Sequence, residues 1–101
     1  MKNNDIVEVS TLIRRDFNLD NEELVEQSSM DELKHKLTQI ITYLLDKDFE
    51  RLLLAMYRID INEEKLKAAL ASNPPDQVAP NIAELILTRE LQKVVTRRKY
   101  S

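Results

Sequence analysis

The chain has 101 residues, a net charge of −3, 43% hydrophobic and 33% charged residues, no glycine and no cysteine. That length supports one modest core, and a glycine-free composition rich in good helix formers points to an all-α fold. It also removes the glycine loops that cradle phosphates and dinucleotides, while the lack of cysteine excludes disulfides, thiolate metal sites and cysteine nucleophiles.

Charge is unevenly spread. Residues 1–32 carry nine acids and three bases, residues 33–87 eight and seven, and residues 88–101 one acid and five bases. The acidic head and basic tail suit helix dipoles, an anionic partner or head-to-tail contact between subunits. The N-terminus has charges where a signal peptide needs an apolar run. No apolar run approaches the roughly 20 residues that span a bilayer. A cytoplasmic protein is expected.

In chain order, Ile6, Val9, Ile13 and Phe17 recur at helical spacing and predict a helix from about Asp5 to Phe17. Val7 and Val9 alternating with Glu8 and Ser10 leave a short extended piece as the alternative. Residues 17–30 mix turn formers with one weak helical turn after Asn21. Residues 1–28 are therefore expected to be a weakly ordered segment packing on the body, with residues 29–101 as the helical bundle domain.

The next helix is sharply marked. Ser28 or Ser29 suits the N-cap, Ser29 to Glu32 spells a capping box, and Asp31 and Glu32 fall in the first turn. Leu33, Leu37, Ile40, Ile41 and Leu44 form one stripe. The stripe changes direction across Asp46–Asp48, predicting a break with DKD as turn and N-cap.

Asp48–Asp60, DFERLLLAMYRID, then reads as a helix apolar nearly all round. Leu54 lies in the arc left to Glu50, Arg51 and Arg58. Such a helix is normally buried, so the expected architecture is a bundle of four to five helices around a central helix at about 48–59. Asp60 or Asn62 can cap the following helix, which presents Leu66, Ala69 and Leu70 on one face. Asn73-Pro74-Pro75 stops it. Pro80 suits the first position of a last helix reaching about Arg98, again apolar round much of its circumference. Glu90 sits within the apolar arc of Ala83, Ile86, Leu87 and Val94, and a carboxylate there needs a partner. Arg58 is the expected cation, with Asp60 and Arg89 as further members of the set.

Little in the chain supports catalysis. There is one histidine, His35, and no nucleophile elbow. Glu32-Leu33-Lys34-His35 has the E-x-x-H spacing of di-metal bundles, but His35 lies off the apolar stripe and reads as a surface residue. No metal or cofactor is expected. Arg97, Arg98 and Lys99 beside Tyr100 form a small basic-aromatic tail, a weak nucleic-acid signal in a chain whose pI is about 5.2.

The stretches YLLDKDFERLLLAMYRIDINEEKL and IAELILTRELQKVVTRRKY resemble a group of small, uncharacterised bacterial helical proteins, from about residue 29 to 100. The resemblance implies a bacterial cytoplasmic setting and an all-α fold, and it carries no activity, cofactor or functional residue. Surplus apolar surface then points to a non-enzymatic interaction or regulatory module, self-associating as a homodimer and holding a protein partner. Leu54, Tyr57 and Val95 are the expected anchors, with Arg97 and Arg98 as a polar rim. The alternative is a nucleic-acid accessory protein using Arg97, Arg98, Lys99 and Tyr100.

Overall fold

A computed structural model describes residues 3–19 and 29–100, with side chains for 5–19 and 29–99. Among the described residues the architecture is all-α: α1 (Asn3–Phe17), α2 (Met30–Lys47), α3 (Phe49–Ile59), α4 (Glu63–Leu70) and α5 (Val78–Tyr100), with a 3-10 turn at Pro75–Gln77. The weak turn expected after Asn21 lies outside the described residues. α5 packs against each of the other four helices and is the axis of the bundle.

With no glycine in the chain, other residues must supply the left-handed conformation that closes helices. Asn18 takes it after α1 (φ 54°) and Asp60 after α3 (φ 66°), the two residue types whose side chains tolerate it best. Leu19 N–H then bonds to Arg14 O at 2.9 Å, and Ile61 N–H to Met56 O at 3.1 Å. Both are the six-to-one closures of a Schellman cap. Asp60 is thereby committed to ending α3. Asn62 begins α4, its Oδ1 accepting from Lys65 N–H at 2.9 Å.

Helix starts follow the same economy. Ser29 Oγ accepts from Glu32 N–H at 3.1 Å, so Ser29 rather than Ser28 caps α2. Asp48 ends α2 and caps α3, its Oδ1 accepting from Arg51 N–H at 3.2 Å. The break therefore occupies one residue where the sequence suggested three. α5 starts two residues before Pro80. A proline in the first turn costs no hydrogen bond there, because those N–H groups have no intrahelical acceptor.

The core is continuous through all five helices. Val9, Leu12, Ile13 and Phe17 of α1 meet Leu33, Leu37, Ile41 and Leu44 of α2. Leu52, Ala55, Met56 and Ile59 of α3 and Ile82, Ala83, Ile86, Leu87 and Val94 of α5 complete it, with Ala69 of α4 at its edge. A division at residue 28 separates α1 in sequence, yet α1 shares this core. α3 packs against α1, α2 and α5, with one face buried. Its burial is narrower than its wheel implied, because Phe49, Leu53, Leu54 and Tyr57 face solvent.

Candidate interaction surface and the buried carboxyl pair

α3 is oriented by arginines that grip the end of α1. Arg51 donates from Nε (3.2 Å) and Nη2 (3.0 Å) to Phe17 O, and from Nη2 to Asn18 O at 3.0 Å. Arg58, two turns on, donates from Nη1 to Asp16 O at 3.2 Å. Carbonyls at a helix C-terminus lack intrahelical donors and carry the negative end of the dipole, so guanidinium groups suit them twice over. This clamp fixes which side of α3 looks inward.

The opposite side is left to water. Leu52, Ala55, Met56 and Ile59 share the buried arc. At 100° per residue, the arc facing away is centred on Glu50, Leu54 and Tyr57. Leu54 is 52% exposed and Tyr57 86%, flanked by Leu53 at 41% and Phe49 at 42%. Arg58 lies on the other flank and is exposed. Four large apolar side chains on one short helix face form an apolar strip with an acid and a base at its two ends.

The remaining expected anchors fall elsewhere. Val95 is exposed on α5, in a shallow groove with Thr88, Leu91, Gln92 and Thr96. Arg97 is exposed near the end of the same helix. Arg98 is an ion-pair partner of α1, with Asp5 at Nη1 and Glu8 at 3.3 Å from Nη2. It ties the last turns of α5 to the first turns of α1, so the Arg98 charge is met within the chain. The side chain of Tyr100 lies outside the described residues.

The expected pairing of Arg58 with Glu90 is not made. Arg58 is held by the Asp16 carbonyl, and Glu90 takes its cation from its own helix, with Lys93 Nζ 3.2 Å from Oε1. The two further candidates pair with each other instead, Arg89 Nη2 lying 3.4 Å from Asp60 Oδ2. Glu90 is 0% exposed and faces the Asp16 carboxyl, itself 4% exposed. Arg15 Nε sits 3.3 Å from Asp16 Oδ1.

With both acids ionised, Glu90 Oε2 and Asp16 Oδ2 are buried acceptors with no donor. Burial pushes the Glu90 carboxyl above its ordinary value; Lys93 opposes the rise and the Asp16 carboxylate adds to it. A proton on Glu90 would supply the missing O–H toward Asp16 and relieve two like charges sharing a dry site. Asp16 is the neighbouring acid that the sequence reading did not name. Its spacing from Val9 and Ile13, seven and three residues, puts it on the α1 stripe, which was the available signal.

His35 is exposed, its Nε2 3.4 Å from Gln39 Nε2. Among the described residues there is no group of three or more His, Cys, Asp or Glu placed to hold a metal ion. No helix among them is long and apolar enough to cross a membrane. Comparison with known family models, curated proteins and solved structures finds no match to this chain.

Proposed function

We propose that this protein is a non-enzymatic protein–protein interaction module that self-associates, with the outer face of α3 as its working surface. The observation that carries the reading is the row of exposed apolar side chains on that face, with Tyr57 86% exposed beside Leu54. Single exposed hydrophobics need no explanation, but a contiguous strip bordered by charge marks interaction sites. Aromatic residues are also those enriched where interfaces are tightest.

The arrangement most like catalytic chemistry is the Asp16–Glu90 pair, and it is closed to substrate, since the two residues are 4% and 0% exposed. A general acid must reach the group that it protonates. The nucleic-acid reading is weakened because Arg98, central to its basic tail, already meets Asp5 and Glu8. The bacterial, cytoplasmic setting implied by the sequence resemblance belongs to this proposal and adds no chemistry to it.

Amide chemical shifts of the labelled protein, followed over a hundred-fold dilution, test the reading. Concentration-dependent shifts are expected at Glu50, Leu53, Leu54, Tyr57 and Arg58. Shifts that appear at residues 95–99 only on addition of a single-stranded oligonucleotide would replace it with the nucleic-acid alternative, and dilution shifts confined to those residues would move the self-association surface to the end of α5.

A further inference from the structure

We infer that the occupant of the α3 face is a second copy of this chain, its α3 running antiparallel across a two-fold axis at Leu54. The inference rests on the self-association reading and adds the partner's orientation and register. It comes from the order of charges along the strip. Glu50, Leu54 and Arg58 are spaced at four-residue steps, one turn apart, so the acid and the base lie equally far on either side of Leu54.

A two-fold axis through Leu54 brings residue 54 against its own copy and residue 50 against residue 58. Glu50 of each chain then meets Arg58 of the other, making two identical ion pairs at the rim of one apolar contact. A parallel pairing in the same register sets Glu50 against Glu50 and Arg58 against Arg58. Like charges opposed in this way disfavour the alternative, which is how charge order selects orientation.

The apolar flank is matched by the same operation. A two-fold axis perpendicular to both helices keeps corresponding flanks on the same side, so Phe49 and Leu53 of one chain lie beside Leu53 and Tyr57 of the other. Phe49 falls within about a turn of the other chain's Tyr57, near enough for an aromatic pair. The isologous contact uses exposed residues, with Arg58 keeping its Nη1 bond to the Asp16 carbonyl and turning its other N–H groups to Glu50, and a two-fold dimer is the commonest symmetric assembly. A single eleven-residue helix presents less area than a standard interface, so the dimer is reversible and concentration-dependent.

The cysteine-free chain allows a direct test with single cysteines and a short bismaleimide. Leu54→Cys is expected to cross-link with itself. Glu50→Cys and Arg58→Cys, each poorly linked alone, are expected to give several-fold more dimer when mixed. Lys67→Cys on α4 serves as the unlinked control, and helicity by circular dichroism verifies that each variant folds.

Efficient self-linking of Glu50→Cys with no gain on mixing would overturn the antiparallel register and leave self-association standing. A wild-type dimer by sedimentation without any Leu54→Cys link would move the interface to another face. A monomer at every concentration would overturn self-association itself. The charge exchange Glu50→Arg with Arg58→Glu gives an independent check: each single variant weakens association at least ten-fold, and an equimolar mixture of the two single variants restores it.

Discussion

α3 and α5 look alike on a helical wheel, both apolar round most of their circumference, yet the bundle treats them oppositely. α5 buries even a carboxylate, Glu90, while α3 leaves Leu54 and Tyr57 in water. The difference lies in neighbours. The 23 residues of α5 meet every other helix, whereas the 11 residues of α3 are clamped to α1 by Arg51 and Arg58 and covered from one side. An apolar wheel states how much surface a helix could bury. Which part stays uncovered depends on how many partners its own chain supplies.

The contrast is broken most strongly by truncation. Ile86→Ala in α5 removes a fully buried side chain and is expected to cost about 2–5 kcal/mol. Leu54→Ala in α3 is expected to change monomer stability by no more than about 0.5 kcal/mol. Urea unfolding at low protein concentration measures both. Equal losses would mean that the outer face of α3 is buried within the monomer.

Next in size is the clamp. Arg51→Ala removes three charge-assisted hydrogen bonds to the end of α1 and is expected to cost about 1–3 kcal/mol. Faster amide exchange should follow in residues 14–19 while α5 stays protected. Loss of protection spread evenly over all helices would show that Arg51 supports the whole core and not this junction.

The buried carboxyl pair gives a smaller effect with a defined sign. Glu90 binds its proton more tightly in the folded protein than in the unfolded chain. Between the ordinary carboxyl value and its raised value, the folded state holds a proton that the unfolded chain has lost. Stability from this group is therefore fully present below that window and falls as pH rises through it. Glu90→Gln keeps a donor toward Asp16 and cannot ionise, so the difference in unfolding free energy between wild type and variant should shift in the variant's favour as pH rises. A difference independent of pH would show that Glu90 is ionised throughout, held by Lys93.

The all-α architecture was legible because the starts of α2 to α5 have local chemical causes: Ser29, Asp48 and Asn62 as caps, and prolines around the start of α5. The break at Asp48 could be read from a stripe that changes direction. The outer face of α3 was harder to read. Leu54 and Tyr57 are apolar like their buried neighbours, and tertiary contacts, among them the grip of Arg51 and Arg58 on α1, decide which side turns outward. The partner of Glu90 was missed for a related reason. Arg58 is the longer-range cation in an apolar stretch, but Phe17 ends α1 so close to α3 that main-chain carbonyls claim both arginines first. Lys93, one turn from Glu90, needed only helical spacing to be found.

Sedimentation of wild type and Leu54→Glu/Tyr57→Glu over a wide concentration range tests the central claim most directly. The account predicts a reversible monomer–dimer equilibrium for the wild type and a folded monomer throughout for the double variant. Identical behaviour of the two proteins, whether both monomeric or both dimeric, would contradict it.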